Sequence, residues 1–175
     1  MGIYTDILSA TTISGGTFYG DGSGLTGVGG GLYSTGTGTC STLRCGSSNT
    51  ATGNYSVVSG GQNNTAECGY SVITGGRNNR SKGNYSTISG GYDNEANGTY
   101  STVSNGYINT SVGDHSTVSN GYNNTSVGNY STVSNGYRNT SVGNYSTISG
   151  GDGNITSGSY SIIGNGVFNS TIANY

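Results

Sequence analysis

The sequence predicts an all-β fold, a parallel β-solenoid or β-roll built from 15-residue coils. Three observations carry that expectation. First, tyrosines stand at Tyr55, Tyr70, Tyr85, Tyr100, Tyr130, Tyr145, Tyr160 and Tyr175, always 15 residues apart (70 − 55 = 15), with His115 in the one vacant place. A fixed short period means one structural unit stacked on itself. Second, each unit alternates short runs of β-branched and small residues with glycine-bearing turns, as in YSTVSNGYRNTSVGN from Tyr130 to Asn144. Third, the composition is that of neither an ordinary globule nor a disordered tail. Gly supplies 35 of 175 residues, Pro is absent and charged residues are only 7%. Disordered chains of low hydrophobicity usually carry Pro and charge, so a strict period without them argues for an ordered array.

Residues 1–28 lie outside the repeat. Ile13, Phe18, Tyr19, Leu25 and Val28 are separated there by Gly-rich turns, and Asp21-Gly22 and Ser23-Gly24 are turn signals, so the segment predicts short strands in an attachment or capping region. Residues 29–39, GGGLYSTGTGT, read as a flexible Gly-rich linker. Residues 40–175 hold nine units that begin at 40, 55, 70, 85, 100, 115, 130, 145 and 160.

The columns within a unit have a physical reading. Position two is always Ser, as in Ser86, Ser101 and Ser116. Position four is always aliphatic: Leu43, Val58, Ile73, Ile88, Val103, Val118, Val133, Ile148 and Ile163. Alternation along Tyr-Ser-Thr-Val-Ser predicts a strand of about five residues, with Ser and Val inward and Tyr, Thr and Ser outward. Position seven is always Gly and is expected to turn with positive φ. Position ten is always Asn, including Asn64, Asn79, Asn94, Asn109, Asn124 and Asn139. A buried Asn column can hydrogen-bond up and down its own ladder. Position twelve is always small, which predicts a thin coil, and the Gly usual at position fourteen is expected to turn the chain back. Nine such coils, each paired in parallel with the next, would rise on the order of 40 Å.

One chain is expected to need company. Each coil buries one aliphatic side chain, worth about 1.5–3 kcal/mol. Ordering its residues costs about 1 kcal/mol each, and backbone hydrogen bonds return roughly 1 kcal/mol apiece. That near-balance leaves outward Tyr, a second column at Tyr92, Tyr107, Tyr122 and Tyr137, and a Val112, Val127, Val142 column still in water. Copies of the chain around an axis would cover them, and three is the simplest closed ring for a fibre, hence a homotrimer.

Units such as Ser86-Thr87-Ile88-Ser89-Gly90, with segments such as Asn124-Thr125-Ser126-Val127-Gly128, resemble the head repeats of trimeric autotransporter adhesins of the YadA type. The resemblance covers residues 40–175 and implies a left-handed parallel β-roll, three chains wide. The unit departs from that pattern in its 15-residue length and in placing its aliphatic residue at mid-strand. ISGGTFYGDGSGLTG is similar to segments that precede such repeats in fibre proteins of phages and large viruses. That likeness implies a structural fibre on a virion surface, joined to virion proteins through residues 1–28.

Other classes draw less support. Five Lys plus Arg and a net charge of −2 give no nucleic-acid surface. No apolar run approaches the roughly 18 residues of a membrane span. The start, MGIYTDILSATT, lacks the basic and apolar regions of a secretory signal, and no C-terminal anchor is evident; a complete autotransporter is therefore not expected. Asp6 stands where a myristoylation signal wants Ser or Thr. Cys40 and Cys45, if on one strand, lie about 16 Å apart, beyond disulfide reach, and with Cys68 read as free thiols. No catalytic, metal or cofactor constellation is present, so no enzyme is expected: His115 replaces a Tyr, and Asp21 in GDGSG lacks the further carboxylates of a calcium loop. N-x-S/T sequons recur at Asn84, Asn109, Asn139 and Asn144 and would be used only along a glycosylating pathway. The exposed aromatics Tyr92, Tyr107, Tyr122 and Tyr137 are the candidate contact for a host-surface glycan. The alternatives are an extracellular adhesin head or self-assembling cell-surface filament, and an ice-binding solenoid using the Thr87, Thr102, Thr117, Thr132, Thr147 column.

Overall fold

The computed structural model describes residues 34–43 and 46–172. The segment 1–28, Cys45 and Tyr175 lie outside the described residues. The chain is a parallel β-solenoid whose coil is the 15-residue unit.

Two sheets run along it. The first, with ten strands, takes positions three and four of the nine units, such as Thr102–Val103 and Thr117–Val118, and adds Ser34–Thr35 at one edge. The second, with nine strands, takes positions eleven and twelve, such as Thr110–Ser111 and Thr125–Ser126. Every pairing between coils is parallel and in register: Thr102 lies against Thr117, Val103 against Val118, and Ser111 against Ser126. A third line of single parallel bridges joins position eight, from Ser47 through Tyr92, Tyr107, Tyr122 and Tyr137 to Val167. The coil therefore has three ladders, where the sequence suggested two strands.

Each strand is two residues long, not five. Tyr130 ends the extended run because its backbone is left-handed, at φ 57°, and it sits at a corner of the coil. The corners fall at positions one, seven and nine. Position nine is filled by Asn63, Asn78 and Asn123, which tolerate that backbone, but also by Ile108 at φ 55°, which as a β-branched residue does not. Position seven is Gly with positive φ throughout the described residues, as at Gly61 (φ 87°) and Gly121 (φ 100°). A Cβ on Gly121 would also lie 2.2 Å from the Gly136 carbonyl oxygen.

The glycines of position fourteen do not turn the chain with positive φ. They let one backbone lie on the next: a Cβ on Gly113 would stand 2.2 Å from the carbonyl oxygen of Gly128. Hydrogen-bond direction explains the corners. Most N–H groups donate to the following coil, as Thr117 does to the Ser131 carbonyl at 2.9 Å. The left-handed residues point the other way: Tyr130 N–H donates back to Asp114 and Asn123 N–H to Tyr107, both at 2.9 Å.

The core is a line rather than a layer. Val58, Ile73, Ile88, Val103, Val118, Val133 and Ile148 are fully buried and Ile163 nearly so, with Ala51, Ala66 and Ala96 facing them from the second sheet. Where position twelve is Ser, its hydroxyl meets the Ser of position two, as in Ser111 with Ser116 and Ser126 with Ser131, both at 2.6 Å. Those serines also donate to the position-fourteen carbonyls, Ser116 to Gly113 at 2.6 Å. Ser101 faces Ala96 instead, and its buried hydroxyl has no partner.

Within the stretch read as a linker, Ser34–Thr35 pairs antiparallel with Thr42–Leu43 and so covers the outer edge of the first sheet. An open sheet edge is a template for unwanted pairing, and a reversed short strand blunts it.

Candidate functional site

The surface is organised by what recurs once per coil. The buried Asn of position ten holds the coil shut from inside. Asn64, Asn79, Asn94, Asn109, Asn124 and Asn139 are all fully buried. The side-chain oxygen of each accepts the N–H of the next Asn in the column, as Asn109 does from Asn124 at 2.9 Å. The amide nitrogen donates to two carbonyls, in Asn109 those of Asn105 (3.1 Å) and Gly121 (2.9 Å). No other side chain of this size offers one acceptor and two donors in that geometry.

A second amide ladder, which the sequence reading missed, runs down the outside at position fifteen. The side-chain oxygens of Asn54, Asn84, Asp114, Asn129 and Asn144 accept the backbone N–H of Thr39, Gly69, Thr99, Asp114 and Asn129 respectively, at 2.8–3.1 Å. It points toward the preceding coil, opposite to the inner ladder. The signal was present as the recurring Asn-Tyr-Ser at Asn54, Asn84, Asn129 and Asn144, but Gly69, Thr99 and Ser159 interrupt the column.

Beside it stands an aromatic stack. Tyr55, Tyr70, Tyr85, Tyr100, His115, Tyr130, Tyr145 and Tyr160 lie face to face at 4.7–5.0 Å with planes within 11°. His115 takes its turn in the stack, 4.8 Å from Tyr100 and 4.7 Å from Tyr130. Free Cys40 occupies the same left-handed corner, so it does not share a strand with its neighbours. Cys68 is also a free thiol.

The second aromatic column, Tyr92, Tyr107, Tyr122 and Tyr137, has ring centroids 5.0–5.1 Å apart, with tilts that fall from 43° to 13° along it. Guanidinium groups close both ends: Arg77 lies 5.5 Å from the Tyr92 ring and Arg138 4.2 Å from the Tyr137 ring. Tyr122 and Tyr137 are thus stacked on one another, with Arg138 over Tyr137, while Tyr92 and Tyr107 are tilted out of that stack.

Charge is local. Arg80 pairs with Glu67, Lys82 with Glu95 at 2.8 Å, and Arg138 with Asp152 at 3.4 Å. Partial burial disfavours the charge on Glu95, but hydrogen bonds from Lys82 and Asn97 outweigh it and hold the carboxyl below its usual range. The exposed apolar residues Val112, Val127 and Val142 line up on three successive coils. The Thr87, Thr102, Thr117, Thr132, Thr147 column is half-buried on the outer face of the first sheet.

A groove of about 420 Å³ opens where the outer amide ladder meets the Tyr stack, lined by Asn54, Tyr55, Gly69, Tyr70, Asn84 and Tyr85. Among the described residues no group of three or more His, Cys, Asp or Glu could hold a metal ion. No helix among them is long and apolar enough to cross a membrane. No protein-family model matches the sequence, and a search of curated proteins finds no match. The β-solenoid architecture therefore rests on the chain's own geometry.

Proposed function

We propose that this chain is a structural fibre segment of a virion that extends from the particle and adheres to host-surface glycan. In this reading it assembles as a homotrimer of left-handed rolls, with residues 1–28 making the joint to virion proteins. The observation that carries the proposal is the in-register stacking of 15-residue coils, which leaves Val112, Val127 and Val142 exposed on three successive coils. Such a line on a rod with so little charge favours lateral association of copies around an axis. The regular ladders suit mechanical extension, because each coil adds the same hydrogen bonds and the same rise.

A cell-surface adhesin head would use the same rod and the same apolar line; a particle image that places the chain on a virus, or on a cell, separates the two. The trimer is tested by light scattering or sedimentation equilibrium. Three times the 17.6 kDa chain mass is expected, and a monomer at micromolar concentration defeats it.

A further inference from the structure

We infer that the groove at Gly69 is a binding site for an extended β-linked polysaccharide, lying along the solenoid with one sugar per coil. The inference rests on reading the chain as an attachment fibre and moves the glycan contact away from the second tyrosine column. Three features assign it.

Gly69 is a glycine without a backbone reason. Its φ is not positive, and a Cβ there would meet nothing nearer than the Asn84 side-chain oxygen at 3.4 Å. Gly61 and Gly113 could not take a Cβ at all. What Gly69 does is leave out one rung of the outer amide ladder, and that omission opens the groove between Asn54 and Asn84.

The walls suit hydroxyl groups rather than a flat apolar ligand. Tyr70 has both faces covered, by Tyr55 at 4.9 Å and Tyr85 at 4.7 Å. The row therefore presents edges and phenol hydroxyls at coil spacing. Asn54 and Asn84 spend their side-chain oxygens on the backbone of the preceding coil, which leaves their amide N–H groups as the donors on offer. A pyranose chain in extended β-linkage advances about one strand spacing, roughly 5 Å, per sugar and presents hydroxyls at every step. An α-linked chain coils and loses that register.

The groove is also free of the proposed self-contact. On its coils position thirteen is Thr52, Glu67 and Lys82, with Glu67 and Lys82 in ion pairs, whereas the valine line begins at Val112.

The experiment titrates the full chain with cellohexaose, chitohexaose and, as the α-linked control, maltohexaose, followed by saturation-transfer NMR and calorimetry. Gly69→Asn restores the missing rung while filling the groove, and Tyr70→Phe removes the central hydroxyl. The expected result is that at least one β-linked probe binds, maltohexaose binds at least roughly tenfold more weakly, and Gly69→Asn abolishes binding with an unchanged or higher unfolding midpoint. Tyr70→Phe is expected to weaken binding several-fold. Equal binding of α- and β-linked probes, unchanged binding to Gly69→Asn, or no binding of any probe overturns the inference. Light scattering on the same samples keeps the two readings apart. A trimer that binds nothing removes the groove alone, and a monomer that binds removes the trimer alone.

Discussion

The side-chain oxygen of Asn124 accepts the backbone N–H of Asn139 at 2.9 Å, while its amide nitrogen donates to the carbonyls of Asn120 and Gly136 at 3.1 and 2.9 Å. One buried amide thus joins two coils and ties the glycine corner to the second sheet. Removing it strands the Asn139 N–H and the Asn120 carbonyl, while the Gly136 carbonyl keeps the backbone N–H of Tyr122 at 3.0 Å. Asn124→Ala is expected to destabilise the chain by roughly 1–3 kcal/mol. Asn129→Ala, on the exposed outer ladder, should cost about 1 kcal/mol or less because water replaces the lost acceptor. Urea unfolding of the two variants checks the ranking, and equal effects would deny the inner ladder its role.

Ile108 is the residue worst matched to its backbone. It holds φ 55° at a corner where Asn63, Asn78 and Asn123 hold the same angle. The left-handed conformation costs an L-residue about 1–2 kcal/mol, and Asn visits it far more readily. Ile108→Asn is expected to raise stability by about 1 kcal/mol after some loss of apolar contact, read as an increase in the thermal midpoint. A lowered midpoint would show that packing, not backbone strain, governs that corner.

Two glycines of similar sequence context should respond in opposite ways. A Cβ on Gly113 would sit 2.2 Å from the Gly128 carbonyl oxygen and 2.6 Å from that of Val127. The coils would have to part, and Gly113→Ala is expected to cost about 2 kcal/mol or more. At Gly69 the nearest atom is 3.4 Å away and φ is not positive, so alanine there should be neutral or slightly stabilising by its effect on the unfolded chain. Chemical unfolding of the pair decides the matter.

The sequons divide by burial. Asn109 and Asn139 are fully buried and hydrogen-bonded, whereas Asn84 and Asn144 are exposed on the outer ladder. Expressed through a glycosylating secretory host, the folded chain is expected to carry glycan at Asn84 or Asn144 and none at Asn109 or Asn139. Glycopeptide mass spectrometry reads the occupancy directly. Glycan at Asn109 would mean that the coil is not closed when the transferase meets it.

The period, the parallel register and the inner columns could be read from residues alone, because a column such as Val103, Val118, Val133 repeats without exception. The corners could not. Tyr-Ser-Thr-Val-Ser alternates as a strand does, and nothing in a tyrosine announces a left-handed backbone. That conformation is held from outside, by the N–H of Tyr130 turning back to Asp114 and by rings packed within 5 Å on either side. Position fourteen misled for a related reason: Gly serves there for close approach of backbones, which leaves the same mark in a sequence as a turn. The outer amide ladder was hidden because its members change type, and Gly69, which lines the groove, contributes no side chain to it.

The central claim, that consecutive 15-residue units form successive rungs in strict register, is tested most directly by electron-spin distances. Spin labels are placed at Thr147 and, in turn, at Thr87, Val72 or Val57, all at position three of the first ladder, with Cys40, Cys45 and Cys68 changed to Ser and the labelled chain diluted into unlabelled chain. These sites are four, five and six coils apart. Distances near 19, 24 and 29 Å, rising by about 4.8 Å per coil, are predicted. Broad distributions, or distances that do not grow in equal steps, would contradict the stacked solenoid.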